Sequence, residues 1–375
     1  MAQFFFNTFR HIDWLLFSAS ILLVASGLVT MNVFNEPNIF FQKQLLWLII
    51  GIIAFFIASI SRVSFLKHTT IIVAFFITSV FLFILLFFIE PIQGARSWLS
   101  FGPILFQPVD PSKIVLIILL SKYFSRRHIE IANIRHILVS GAYALVFFLL
   151  ILIQPDFGSA IIIFLIWLGM VLVSGISKKH LALIFIAGII AFSGLWQFGF
   201  EPYQKERVLS FLHPLADIEG AGYNARQSKI AVGSGEIFGK GIGYGTQSRL
   251  KFLPEYQTDF IFAAFAEEWG FAGTVSLFVL FSIVIWRILA AAMSGASNFE
   301  MFFGIGVAIY LMSHFTIHIG INIGLLPVTG TPLPFLSYGG SHLITEFTAL
   351  GILMGMRRYS RPAHRNVAEQ EIIGV

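Results

Sequence analysis

The chain contains no cysteine in 375 residues. That excludes disulfides, thiolate metal sites and cysteine nucleophiles, so any segment outside a membrane must hold its shape by packing. Charge is scarce too: Asp, Glu, Lys and Arg make up 11% of the chain against 57% hydrophobic residues, and the mean hydropathy is +0.86. A soluble domain of this length cannot cover so much apolar surface, which leaves an integral membrane protein. The net charge of +5 is scattered among apolar runs and forms no stripe, so it is no signal for nucleic acid. Internal repeats and low-complexity linkers are also missing. One membrane domain spanning 1–375 is the simplest organisation.

What is present is long apolar runs and 43 phenylalanines, which suit lipid-facing helices. Taking about 20 apolar residues per crossing, ten spans are expected, near 14–33, 44–61, 69–89, 110–124, 137–153, 158–176, 181–199, 259–292, 301–322 and 340–356. The first has a charged flank at Arg10 but is longer than a signal-peptide core, so it reads as an uncleaved helix. With the N-terminus inside, fourteen Lys and Arg residues fall on the cytoplasmic side and three on the short outer loops. That bias places both termini in the cytoplasm. The other seven basic residues lie in one long segment, 200–258, which this topology puts outside.

Unusual chemistry gathers on that outer side. In KFLPEYQTDFIFAAFAEEWG (251–270), Glu255 lies in a polar loop, Asp259 falls at the boundary of the eighth span, and Glu267 and Glu268 follow about two turns deeper. An acid at membrane depth is costly and points to function, although Asp before an apolar run is also an ordinary helix cap. Asp110 and Lys113 begin the fourth span three residues apart. They fit an ion pair on one helix face or, equally, a cap with a snorkelling lysine. Asp156, between Pro155 and Phe157, suits a turn between spans. Arg96 and Trp98 fit interfacial anchoring or an anionic headgroup.

Two motifs fail on inspection. The run GSGEIFGKGIGYG (233–245) has Ser234 where a phosphate loop needs Gly and Gly241 where it needs Ser or Thr, so it reads as a flexible outer loop with tight turns. His314 and His318 are four apart, but Phe315 replaces the glutamate of a zinc protease helix; hydrogen bonding between helices is expected instead.

Taken in order, GARSW (94–98), QPVDPSK (107–113), QPDFGSA (154–160), GAGYNARQSKIAVGSGEIFGKGIGYGTQ (220–247), FLPEYQTDFIFAAFAEEWGF (252–271) and GLLPVTGTPLPFLSYGGS (324–341) resemble segments of the SEDS family of shape, elongation, division and sporulation proteins. The likeness covers essentially the whole chain. It implies an all-α polytopic membrane fold of ten helices, with a large extracytoplasmic loop between the seventh and eighth. It further implies a peptidoglycan glycosyltransferase of the bacterial inner membrane that polymerises lipid II beside a class B penicillin-binding protein and other elongation machinery proteins. AEEWGF (266–271), PVTGTPLPF (327–335) and the short N-terminal tail resemble the elongation branch more than the division branch. By this resemblance Asp259 carries catalysis and Asp110 and Lys113 line the adjoining cavity, with Arg96, Asp156 and Glu255 extending the site. Asp110 stands where the family usually has Glu, followed by Pro111, and Glu236 stands where a third Gly is common. No cofactor is fixed by these residues; the leaving pyrophosphate needs cations, from Lys113, Arg96 and loop basics or from a divalent ion such as magnesium supplied with the substrate. A flippase or transporter of the same lipid-linked precursor is the alternative, although the outer-mouth position of the charges and the lack of repeats favour the enzyme.

Overall fold

Lipid offers no hydrogen bonds to a bare backbone, so apolar runs of this length close into helices. In the computed structural model, which describes residues 10–32, 39–90, 96–102, 104–126, 134–200, 202–213, 221–250 and 252–373, they do so at all ten expected places. The helices are α1 (Trp14–Asn32), α2 (Ile39–Ile60), α3 (Thr69–Leu86), α4 (Val109–Ser125), α5 (Ile134–Ile153), α6 (Phe157–Val173) and α7 (Lys178–Gly194). After them come α8 (Pro202–Leu212), α9 (Ala221–Ser234), α10 (Thr246–Arg249), α11 (Ile261–Met293), α12 (Asn298–Asn322) and α13 (Gly340–Ile373). The segment between α7 and α11 thus carries helices of its own. A two-stranded hairpin, β1 (Leu99–Phe101) with β2 (Ile104–Phe106), precedes α4. The tail (1–9), Gly94 and Ala95 of GARSW, Gly220 and Lys251 lie outside the described residues.

α12 sits centrally, packed on α4, α6 and α11, while α13 lies along α2 and α11 along α1. Gly351 allows the close approach of α13 to α2: a Cβ there would meet the Phe55 carbonyl oxygen at 2.4 Å. α7 stands apart, with no buried residue. At the end of the bundle that holds Asp13, this carboxylate takes hydrogen bonds from Arg287 (Nε, 2.9 Å) and Arg357 (3.0 Å), tying α1 to α11 and α13. Lys67 meets Glu300 at 2.9 Å.

One expectation needs correction. The eighth span is not one straight helix on which Glu267 and Glu268 lie deeper than Asp259. Gly270 breaks α11 with φ 66° and ψ −166°, a conformation only glycine adopts readily. The pieces fold toward each other, so the two glutamates sit at the bend. The reason lies in the Gly-rich run. A Cβ on Gly239 would meet the Glu268 carbonyl oxygen at 2.0 Å, so the two backbones touch. The main-chain groups opened by the break are taken up there: Phe271 N–H donates to Glu236 O (2.8 Å), Ala272 N–H to Ile237 O (2.9 Å), and Lys240 N–H to Glu267 O (3.0 Å). The tight turns expected of that run are present, but it braces the bend and does not stand free.

Candidate active site

The residues before α11 form a compact turn around Glu255, which holds φ 49° and accepts at its carbonyl from the N–H groups of Thr258 and Asp259, both at 3.1 Å. Three consecutive carbonyls are then clamped from elsewhere. Gln257 O accepts from Tyr338 N–H (2.8 Å), Thr258 O from the Ser337 hydroxyl (2.8 Å), and Asp259 O from Asn322 Nδ2 (3.0 Å). The Asp259 main chain is therefore fixed, while its partly buried carboxylate faces Gly330, where a Cβ would lie 3.6 Å from Oδ2.

Burial raises the Asp259 pKa to about 6; the negative charges of Glu255 and Asp156 push the same way and Arg207 opposes them. The structure thus gathers Asp156, Glu255 and Asp259 into one electrostatic neighbourhood, with Arg207 as its cation. Asp156 also makes the turn expected of it, capping α6 through Ser159 N–H at 3.0 Å. A narrow cleft lined by Pro155, Phe157, Phe200, Gln204, Arg207, Pro327, Val328 and Thr329 opens beside these groups.

Asp110 and Lys113 do pair, at 3.1 Å, and both are buried. A thread of contacts runs from them toward the mouth. Ser341 donates to Asp110 Oδ2 at 2.8 Å and accepts from Gln107 N–H at 3.4 Å, and the Gln107 side chain donates to Asp156 Oδ2 at 3.3 Å. Among the described residues no such contact draws in Arg96: it is exposed, and its guanidinium donates to the Phe87 carbonyl at 3.1 Å.

Sequence reasoning missed several participants. His342 Nε2 lies 3.1 Å from Glu346 and its Nδ1 3.4 Å from Asp110, while Glu346 accepts from Phe335 N–H at 3.0 Å. Glu346 is a lone acid in an apolar span, the very signal that singled out Asp259. His314 Nδ1 meets Pro332 O at 3.2 Å and His318 Nδ1 meets Thr331 O at 2.7 Å. A carbonyl only accepts, so both rings carry a proton on Nδ1. These side chains satisfy the backbone of the buried segment 331–336, which is how a non-helical stretch survives inside the bundle. Hydrogen bonding is the role the two histidines have, but their partners are main-chain carbonyls of this non-helical segment and not another helix. Glu267 is likewise engaged, by Lys240 at 2.7 Å and Gln247 N–H at 3.1 Å, and Glu268 by Gly243 N–H at 2.7 Å. Among the described residues, no group of three or more His, Asp or Glu is arranged to hold a metal ion.

The fold is that of a polytopic helical bundle in which a clamped turn carries Asp259 just ahead of a bent helix. The chain belongs to the FtsW/RodA/SpoVE family of cell cycle proteins, whose model matches residues 6–362. It is 35% identical over 368 residues to stage V sporulation protein E of Bacillus subtilis, covering 93% of this chain and 98% of that one. It is 37% identical over 279 residues to the peptidoglycan glycosyltransferase MrdB of Escherichia coli, covering 73% and 74%. Among solved structures it resembles a chain from a peptidoglycan synthase complex that coordinates polymerization and crosslinking, with a TM-score of 0.79 at 28% identity over 93% of this chain and 98% of that one. The rod shape determining protein RodA of Thermus thermophilus matches with a TM-score of 0.69 at 26% identity, covering 92% and 96%.

Proposed function

We propose that this chain is a peptidoglycan glycosyltransferase that polymerises lipid II into glycan strands at the outer face of a bacterial cytoplasmic membrane. The observation that carries the reading is Asp259: a carboxylate on a clamped turn, beside a cleft, with its pKa raised to about 6. Chain growth requires the 4-hydroxyl of an acceptor N-acetylglucosamine to attack the anomeric carbon of the donor sugar. The new glycosidic C–O bond forms, the bond to undecaprenyl pyrophosphate breaks, and the hydroxyl proton passes to a base. A sugar hydroxyl is a weak nucleophile, and a carboxylate whose pKa approaches the working pH is suited to take that proton.

In this reading Asp156 and Glu255 hold substrate beside Asp259 and tune its proton affinity. Lys113 is engaged by Asp110, so this pair supports the site from within through Ser341 and Gln107. The exposed cations Arg207 and Arg96 are better suited to meet the leaving pyrophosphate, whose charge needs compensation as it departs. The Lys and Arg bias of the loops supports an outward-facing site with both termini in the cytoplasm. AEEWGF and PVTGTPLPF support a role in elongation over division. The likeness to a chain from a complex of polymerization and crosslinking supports a class B penicillin-binding protein as partner.

The test is the purified protein given lipid II, with glycan chains and bilayer translocation measured side by side. Glycan synthesis that Asp259→Asn lowers by about a hundredfold or more is the expected result. Translocation without polymerisation would replace the enzyme with a flippase.

A further inference from the structure

Asn322 is the last residue of α12 and is fully buried. Its amide lies between two main-chain groups four residues apart. Nδ2 donates to the Asp259 carbonyl and Oδ1 accepts from the Ala263 N–H, each at 3.0 Å. In a regular α-helix those two groups bond to each other. The Asn322 amide stands in place of that bond and takes both its ends. Asn322 is itself held on two sides, since Nδ2 also donates to His318 O at 2.8 Å and the Ser228 hydroxyl of α9 donates to the Asn322 main-chain carbonyl at 2.8 Å.

We propose that Asn322 is the positioning residue for Asp259. By splitting the Asp259–Ala263 hydrogen bond, it keeps Asp259 outside the first turn of α11 with its carboxylate facing Gly330. This rests on the reading of Asp259 as the catalytic base. The chemistry selects asparagine, because one short planar group must offer a donor and an acceptor side by side. Aspartate would present a second acceptor to the Asp259 carbonyl. Alanine would leave the Asp259 carbonyl and the Ala263 N–H without the amide, and two such groups are satisfied best by bonding to each other. The turn then closes and Asp259 rolls onto the helix.

The experiment compares full-length wild type, Asn322→Ala, Asn322→Asp and Asp259→Asn in lipid II polymerisation across the acid limb of the pH profile, with thermal unfolding of each. Asn322→Ala is expected to lose about a hundredfold in kcat, the effect of a displacement on the order of 1 Å. Its KM should change much less, its unfolding midpoint should stay near wild type, and its acid limb should move as the carboxylate changes surroundings. Asn322→Asp keeps the acceptor for Ala263 and should show the same loss in kcat, so either folded variant gives the answer. Wild-type kcat and an unmoved acid limb in a folded Asn322 variant would overturn the positioning role. Failure of both variants to fold would assign Asn322 to the framework and overturn it as well. The Asp259→Asn arm separates the two levels: activity there removes the base itself, whereas its loss beside a fully active Asn322→Ala removes only this inference.

Discussion

Phe262 and Phe278 stack with ring centroids 6.2 Å apart although both belong to α11. Sixteen residues separate them (278 − 262), which along a straight helix is about 24 Å. The contact therefore measures how far the break at Gly270 turns the first piece back onto the second. Asp259 lies two residues before the first piece (261 − 259), on the same arm of the bend.

Gly270→Ala should be strongly destabilising. Its backbone conformation is closed to alanine, at a cost of about 1–3 kcal/mol. A Cβ there would also meet Gly239 N at 2.2 Å and Ile237 O at 2.7 Å, both backbone atoms. Thermal unfolding in detergent checks this. An unfolding midpoint equal to that of the wild type would mean that the bend does not need glycine.

The pH dependence has a definite sign. A general base works ionised, so the rate should fall as pH drops through about 6, where Asp259 takes up its proton. Glu255 raises that pKa, so Glu255→Gln should move the acid limb to lower pH. Stability runs the other way: with the folded pKa above the ordinary carboxylate value of 3.8, the contribution of Asp259 is fully present below that value and lost as pH rises through about 6. A pH–rate profile of the two proteins decides it. A Glu255→Gln limb displaced upward would contradict the assignment.

Asp110 and Lys113 form a buried pair 3.1 Å apart, and removing either leaves a charge in the interior. Asp110→Ala and Lys113→Ala should each impair polymerisation strongly, while the double variant loses less than the sum. Coupling of about 0.5–3 kcal/mol is expected for residues in contact. Strict additivity would mean that the two act independently.

The ten helices were legible because their runs carry so little charge, and Asp259 was legible because an acid stood where a polar loop met an apolar run. The bend was not. A glycine inside an apolar run reads as helix, and what breaks it here is the backbone of Gly239, a contact between residues 31 positions apart in sequence (270 − 239). Asn322 lay hidden for the same reason, being 63 positions from Asp259 and joined to it by one hydrogen bond. Glu346 could have been found by the rule applied to Asp259, as an isolated acid within a span. The pairing of Asp110 with Lys113 was one of two open readings, and only their burial together decides for it.

Topology governs every functional statement, because a polymerase of lipid II has to present its acid to the exterior. The loops assigned to the cytoplasm carry fourteen of the 24 Lys and Arg residues, and such bias sets orientation when the loops are short. The chain has no cysteine, so a single introduced thiol reports without background. Tyr244 lies in the segment between α7 and α11 and is 67% exposed, and Lys178 begins α7 at the opposite end of that helix from this segment. Tyr244→Cys should react with a membrane-impermeant thiol reagent in intact spheroplasts, and Lys178→Cys only after lysis. The reverse pattern would turn Asp259 toward the cytoplasm, where no glycan strand is laid down, and the polymerase reading would fall with it.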